Sequence, residues 1–230
     1  MISVCMPTYN GEKYIKEQLD SILCQLSQDD EVIISDDSST DRTIEIIKSY
    51  NDARIKLLED NHFKSPIYNL ENALKQAKGD YIFLADQDDV WYPNKVAVVL
   101  NYLQEYDCVV SDATVVDSDM NVIHDSFMKL NHSKKGLIRN LIKNGFLGCC
   151  MAFSKNILDK ALPFPNPIPM HDTWIGLVSE KYGKTHFLKE PLIYYRRHGD
   201  NASPTSEKSH YTIREKIYHR FLFTKNIIGR

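Results

Sequence analysis

The sequence has no apolar run near the ~20 residues that a membrane-spanning helix needs. Its five cysteines are scattered and form no CxxC pair, which argues against a disulfide framework and against a zinc site. The net charge of −3 shows no large excess of either sign, so we expect no nucleic acid partner. Residues Met1–Pro7 lack a basic stretch before their short apolar run, which predicts a first strand and not a signal peptide. These absences predict a cytoplasmic protein with reduced thiols.

The length and the pattern of the first half predict a layered α/β domain. With 230 residues, 43% of them hydrophobic and 26% charged, the chain can bury a sizeable core. The predicted strands are Ile2–Met6, Glu31–Ser35, Ile55–Leu58 and Tyr81–Ala85, and the predicted helices that follow them are Glu12–Leu26, Thr43–Tyr50, residues 70–77 and residues 93–105. Repeated strand–helix units indicate a mostly parallel central sheet with helices on both faces. Ligands of such sheets bind beyond the carboxyl ends of the strands.

The pattern changes after Cys108. Residues 109–116 and 121–124 predict a hairpin, residues 134–143 a basic helix, residues 172–182 another helix, and a last strand pair is expected before Arg196. We divide the single domain into residues 1–108, an acceptor-side half at 109–205, and a C-terminal helix at 206–230. Residues 211–230 mix basic and apolar side chains, which predicts an amphipathic helix that contacts a membrane surface or a second copy of the chain.

The densest acidic cluster is Asp86-Gln87-Asp88-Asp89, directly after the apolar run Tyr81–Ala85. Three carboxylates in four residues repel one another and lose hydration if they are enclosed, and a cation removes both penalties. We therefore predict a Mg²⁺ or Mn²⁺ site that holds a phosphate-bearing substrate. The alternatives are a solvated turn and the nucleophile loop of a haloacid-dehalogenase-type phosphatase, although that loop normally follows the first strand of its sheet.

Three other clusters have both functional and structural interpretations. Asp36 and Asp37, at the end of the second strand, could accept the imide N–H of uracil or thymine, or form an Asx-turn. Asp172, after His171, could be a general base or an acid that stabilises the start of its helix. Arg196-Arg197-His198 could bind a diphosphate or form a basic surface patch.

Taken together, the motifs resemble a family-2 glycosyltransferase with the GT-A nucleotide-diphospho-sugar transferase fold. The matching pieces are Val4–Asn10, Asp36–Thr43, Gly79–Asp89 and Asp172, and the resemblance extends over about residues 1–200. It implies an inverting transfer from a nucleoside-diphosphate sugar to the hydroxyl of a saccharide or lipid-linked saccharide, as in surface polysaccharide synthesis. The expected location is the cytoplasm or the inner face of the cell membrane.

The resemblance also implies a role for each site residue. The nucleotide would be bound by Pro7, Thr8, Tyr9 and Asp36, and the rest of the donor by Asp86, Arg196 and Arg197. The metal would be held by Asp88, Asp86 and His198. Asp172 would be the catalytic base. His171 stands where members usually carry Glu, which departs from the pattern. The ending Tyr195–Ser203 is similar to rhamnosyltransferase-type members and favours a dTDP-sugar over a UDP-sugar.

Two alternatives stay open at this point. A nucleotidyltransferase also pairs carboxylates with a metal on a nucleotide, but it usually begins with a basic, glycine-rich phosphate loop that Pro7–Gly11 does not resemble. A non-catalytic sugar-nucleotide-binding relative would not need Asp86, Asp88 and Asp172 together.

Overall fold

A computed structural model of the chain describes residues 1–199 and 212–230. The strands are β1 (Ile2–Thr8), β2 (Glu31–Asp36), β3 (Ile55–Leu58), β4 (Tyr81–Leu84), β5 (Val90–Trp91), β6 (Cys108–Val116), β7 (Val122–His124), β8 (Met151–Ser154) and β9 (Thr185–Arg196). The helices are α1 (Ile15–Leu23), α2 (Thr43–Ser49), α3 (Pro66–Leu74), α4 (Lys95–Leu103), α5 (Phe127–Asn131), α6 (Leu137–Ile142), α7 (Lys155–Ala161), α8 (His171–Tyr182) and α9 (Ile213–Ile228). The end of the Tyr195–Ser203 motif, the boundary between residues 205 and 206, and Tyr211 lie outside the described residues.

The strands form a single mixed sheet in the order β3-β2-β1-β4-β8-β6-β9-β5, with β7 paired to β6. Neighbouring strands from β3 to β4 are parallel, and Thr8 at the end of β1 lies opposite Asp36 at the end of β2. The carboxyl ends of these strands therefore meet at one edge of the sheet, as the alternation of strands and helices predicts. The α/β class is confirmed.

The first half folds this way because its apolar side chains have the right period. Ile15, Leu19 and Ile22 recur every three or four residues, and all three are buried on the face of α1 that packs on the sheet. At the turn into β4, a Cβ on Gly79 would lie 2.6 Å from the backbone nitrogen of Ser3, so only glycine lets the chain pass this close to β1.

The second half completes the sheet with strands of both directions. The predicted hairpin is confirmed, because β6 and β7 pair antiparallel with Val116 opposite Val122. Strand β8 inserts antiparallel between β4 and β6 and so joins the two halves.

The predicted last strand pair is wrong. Residues 185–196 form one strand, β9, which runs parallel to β6 and antiparallel to β5. The charged and proline residues at 189–191 resemble a turn in the sequence. In the fold they lie where the pairing with β6 shifts register between Ser111 and Asp112, so the chain bulges and continues without reversing.

Helix α9 (Ile213–Ile228) lies within the segment predicted to form a C-terminal helix. It begins at a reciprocal cap in which the Thr212 hydroxyl bonds to the backbone of Glu215 and the Glu215 carboxylate bonds to the backbone of Thr212. Its Phe223 and Ile227 side chains are buried, and the Lys181 ammonium of α8 donates to the Ile227 carbonyl. Across residues 1–199 and 212–230, each helix is too short or too polar to cross a bilayer.

Candidate active site

The acidic loop, residues 86–89, leaves the sheet directly after β4 and is fixed to the end of β9. Asp89 is fully buried, and its Oδ1 accepts the backbone N–H of Arg196 at 3.0 Å. Its other carboxylate oxygen has no hydrogen-bond partner among the described residues. Two residues beyond Arg196, the Nε2 of His198 lies 2.8 Å from the Oδ2 of Asp88. The loop and the tail after β9 thus meet at the same point of the sheet edge.

The carboxylates of this loop raise one another's pKa. Burial, together with the neighbouring Asp88 and Asp172 carboxylates, raises the pKa of Asp86 to about 7. Burial and the Asp88 and Asp86 carboxylates also raise the pKa of Asp89 well above its usual range. A bound cation would remove this repulsion, which is the electrostatic signature expected of a metal site.

The residues present fit a hard divalent cation. Asp86 and Asp88 supply carboxylate oxygens, the ligands that Mg²⁺ and Mn²⁺ prefer, and His198 supplies an imidazole nitrogen. Asp86, Asp89 and Cys149 each also offer a ligand atom within 4.8 Å of the others. Burial raises the pKa of the Cys149 thiol well above its usual range, so this group stays protonated and is a poor ligand.

Asp36, which the resemblance predicts to bind the nucleotide, lies at the end of β2 and its carboxylate is fully buried. Its oxygens accept the hydroxyl of Thr8 at 2.8 Å, the hydroxyl of Ser39 at 2.6 Å and the backbone N–H of Ser39 at 2.8 Å. These bonds match the turn interpretation of the sequence, and the donor-binding role of Asp36 stays a prediction. Of its predicted partners, Pro7 is partly buried and Tyr9 is 57% exposed at the rim.

Asp37 has a different structural role from Asp36. Its carboxylate accepts the backbone N–H groups of Phe63 and Ser65, at 2.6 and 3.2 Å, and so holds the loop between β3 and α3. The loop carries His62, whose Nδ1 lies 2.8 Å from the Ser38 hydroxyl. Asp37 therefore shapes the rim beside Asp36.

Asp172 lies at the first turn of α8, across a cavity from the acidic loop. It is 6% exposed, and its Oδ1 accepts the backbone N–H and the hydroxyl of Thr173. The Nδ2 of Asn144 lies 3.3 Å from its Oδ2. The cavity of about 180 Å³ is lined by Asp86, Phe127, Asn131, Asn144, Phe146, Leu147, Gly148, Met170, His171, Asp172 and Tyr195. The structure thus brings together Asp86 and Asp172, which are 86 residues apart in the sequence.

A buried acid that no sequence motif singles out anchors the wall of this cavity. The Asp112 carboxylate, in the middle of β6, accepts the hydroxyl of Ser126 and the backbone N–H of Met128, the latter at 2.8 Å. These bonds hold the start of α5, and with it Phe127, against the sheet. His171 completes the wall near Gly148, and its Nδ1 is buried with no hydrogen-bond partner in the described part of the chain.

Residues 196–198, at the end of β9, make different contacts. The Arg196 guanidinium is 4% exposed, lies 2.5 Å from a Glu17 carboxylate oxygen and stacks 4.6 Å from the ring centre of Tyr14. The backbone N–H of Arg197 donates to the Val116 carbonyl at 2.8 Å. In this conformation Arg196 is bound to α1, and its predicted contact with the donor stays a prediction, as does that of Arg197.

Two further residues of the site were missed from sequence. The Gln87 amide forms two hydrogen bonds with the backbone of Tyr9, at 2.9 and 3.0 Å, and so joins the loop after β1 to the acidic loop. Lys95 is buried, its ammonium donates to the Cys149 carbonyl at 2.7 Å, and it places a cation near Asp86 and Asp89. Lys95 could have been selected from the sequence, because it is a charged residue within the apolar pattern of α4.

Comparison with known proteins defines the class. The model of "Glycosyl transferase family 2" matches residues 3–162, and the chain belongs to this family. The match favours a glycosyltransferase over the phosphatase and nucleotidyltransferase alternatives. It also confirms the family resemblance carried by the four motifs.

Relatives and solved structures agree with this assignment. The chain is 28% identical to the putative teichuronic acid biosynthesis glycosyltransferase TuaG of Bacillus subtilis, over 94% of this chain and 88% of TuaG. It is 28% identical to WfgD of Escherichia coli, described as a UDP-Glc:alpha-D-GlcNAc-diphosphoundecaprenol beta-1,3-glucosyltransferase, over 78% of this chain and 70% of WfgD. S. aureus TarS in complex with UDP-GlcNAc has a TM-score of 0.75 at 22% identity, over 97% of this chain and 65% of that chain, and shares the fold.

Proposed function

We propose that the protein transfers a sugar from a nucleoside-diphosphate sugar to an acceptor hydroxyl, with inversion at the anomeric carbon. The observation that carries this proposal is the cavity that Asp86 and Asp172 line from two different elements. An acid on the loop after β4 can serve the donor while an acid on α8 serves the acceptor. A sugar held between them would be attacked on the face opposite its leaving group, which is the geometry of a single displacement.

At the donor end, Asp88, Asp86 and His198 would hold Mg²⁺ or Mn²⁺. The bound ion would supply charge neutralisation for the departing diphosphate. Pro7, Thr8, Tyr9 and Asp36 would hold the nucleotide at the ends of β1 and β2. Support for a metal comes from burial and the neighbouring Asp88 and Asp172 carboxylates, which together raise the pKa of Asp86. It also comes from the Mn²⁺ present with GDP-Man in the mannosyltransferase PcManGT, a structural neighbour with a TM-score of 0.62.

At the acceptor end, Asp172 would take the proton of the attacking hydroxyl. Its Oδ1 is held by Thr173 at the start of α8, which orients the carboxylate. Its Oδ2 receives a long contact of 3.3 Å from Asn144, which leaves this oxygen able to accept a proton from a substrate in the cavity.

The substrates of two similar proteins support the choice of substrates proposed for this one. WfgD is named for UDP-Glc and a diphosphoundecaprenol-linked sugar, and the TarS structure contains UDP-GlcNAc. We therefore propose a UDP- or dTDP-sugar as donor and a lipid-linked saccharide as acceptor, in surface polysaccharide synthesis at the inner face of the cell membrane.

Thermal unfolding with a panel of donors tests this function directly. The panel contains UDP-glucose, UDP-GlcNAc, dTDP-rhamnose and GDP-mannose, each with Mn²⁺ and with EDTA. A ligand at 100 times its Kd stabilises by about 2.7 kcal/mol, which corresponds to a Tm increase of roughly 5–10 °C for a chain of this size. We expect one nucleotide class to give this increase, with Mn²⁺ only. No increase with any donor contradicts the proposal.

A further inference from the structure

The side of α9 that faces away from the core carries an apolar stripe. Phe223 and Ile227 are buried against the domain, whereas Ile213, Ile217, Phe221 and Ile228 are each more than half exposed. At 3.6 residues per turn these four side chains fall within roughly 80° of the helix surface. They therefore form a continuous band of large apolar side chains in contact with water, which needs an explanation in a folded domain.

A second exposed apolar pair lies beside this band. Ile138 and Ile142, one turn apart on α6, are also more than half exposed. The two helices are joined where the Arg220 guanidinium donates to the Ile142 carbonyl at 2.7 Å. We call the six side chains on these two helices the α6–α9 surface.

Cations lie on both sides of the apolar band of α9. Residues 134–143 and 212–230 contain nine basic residues and one acidic residue, Glu215, although the whole chain carries a net charge of −3. On the helical wheel, Arg214 and Lys225 flank one side of the α9 stripe and Arg220 flanks the other. Glu215 is engaged in the cap of its own helix. The border is thus positive on both sides of the apolar band.

We infer that the α6–α9 surface docks on an anionic lipid bilayer. Apolar side chains that enter the acyl boundary, with flanking cations at the level of the headgroups, are the arrangement by which a helix binds in the plane of a membrane. A second copy of this chain would bring the same cations face to face, so charge complementarity favours the lipid.

The position of the α6–α9 surface relative to the cavity indicates what docking would do for the reaction. The segment that carries α6 continues into Asn144 and Phe146, which line the cavity, and α8 contacts both α6 and α9. Docking would therefore hold the acceptor side of the cavity near the bilayer, where a lipid-linked saccharide is available. This purpose depends on the proposed acceptor, whereas the docking itself does not.

Vesicle co-sedimentation tests the docking without measuring activity. The full chain is mixed with vesicles of phosphatidylcholine alone or with about one third phosphatidylglycerol. We expect binding to the anionic vesicles that weakens at high salt, because screening reduces the attraction between the cations and the lipid. No binding above that to neutral vesicles overturns the proposal.

Matched variants locate the contact. Ile217→Gln with Phe221→Gln should lower the partition coefficient about tenfold or more, and Arg214→Gln with Lys225→Gln about tenfold. The controls are Val122→Gln with Ile123→Gln, which removes two exposed apolar side chains on β7, and Lys184→Gln with Lys189→Gln. Equal binding of test and control variants overturns the proposal.

Analytical ultracentrifugation of the same proteins tests whether a second copy of the chain covers the α6–α9 surface instead. A dimer that is lost in the Ile217→Gln, Phe221→Gln variant, together with no vesicle binding, would assign the surface to contact between copies and overturn the membrane proposal. Donor-induced stabilisation in the thermal assay is independent of all these outcomes, so failure of the docking and failure of the transferase proposal are distinguishable.

Discussion

Replacing Asp172 by Asn tests the proposed catalytic base with little change to the stability of the fold. The change keeps the size of the side chain and removes its ability to accept a proton. The amide oxygen can keep the bonds that Oδ1 receives from Thr173. The new NH₂ group would face the Nδ2 of Asn144 at 3.3 Å, so one hydrogen bond is lost. That loss costs about 1 kcal/mol of unfolding free energy, or a Tm decrease of roughly 2–4 °C.

The expected kinetic effect is much larger than this. Loss of a positioned base lowers kcat by ~10²-fold or more, equivalent to at least about 2.7 kcal/mol of transition-state stabilisation. The assay is release of nucleoside diphosphate from the donor that gives the largest thermal shift, with a synthetic saccharide-diphosphate-lipid as acceptor. Donor-induced stabilisation should be unchanged, because we propose that Asp172 contacts the acceptor and not the donor.

Asp159→Asn is the matched control, since its carboxylate on α7 is exposed and pairs with Lys155 at 3.5 Å. It should leave kcat unchanged. Turnover of Asp172→Asn within a few fold of wild type would remove the base assignment. A fall in kcat that is matched by a large loss of folded protein would instead assign Asp172 a structural role.

Three other variants test separate parts of the structure. Asp88→Ala should abolish the Mn²⁺-dependent part of the donor-induced Tm increase and lower kcat by ~10²-fold or more, and full wild-type activity in EDTA would contradict this. Asp52 should make the fold sensitive to acid, because its hydrogen bonds with Arg54 lower the pKa of this carboxyl to about 2. The ionised Asp52 carboxylate therefore stabilises the fold above about pH 4, and this contribution is lost as the pH falls towards 2. Asp52→Asn should lower the free energy of unfolding in urea by about 1 kcal/mol at pH 7, allowing for solvent screening, and should have no effect near pH 2. Gly176→Ala places a Cβ against the Phe146 ring, which should cost about 1–3 kcal/mol of unfolding free energy and raise the KM for the acceptor, because that ring lines the cavity.

The edge of the sheet where the site lies could be predicted because local patterns determine it. Apolar runs ending at Thr8, Asp36 and Asp86, separated by helical spacing, leave little choice but parallel strands with their polar ends together. The family resemblance agreed with that geometry. The position of Asp172 opposite Asp86 followed only from the resemblance, because no local pattern relates the two residues.

The rest could not be predicted because it depends on contacts between distant segments. The four residues of β8 show no alternation, and their place in the sheet is decided by β4 and β6 on either side. Within the acidic loop, the local pattern does not show which carboxylate is enclosed; in the fold Asp89 is fully buried and accepts the backbone N–H of Arg196. The direction of Arg196 itself depends on Glu17, which lies 179 residues away.

The anchor at Asp112 has a consequence for how such enzymes diversify. The chain from Ser126 to Gly148 supplies much of the cavity wall, and it is held at one end by Asp112 and joined at the other to β8. Between these fixed points it contributes no strand to the sheet. Because this stretch is anchored at both ends and adds no strand, its exchange leaves the sheet unchanged, provided that the contacts of Gly136 with α8 and of Ile142 with α9 are kept. Grafting residues 126–148 between relatives should therefore transfer acceptor preference while the nucleotide half keeps its donor.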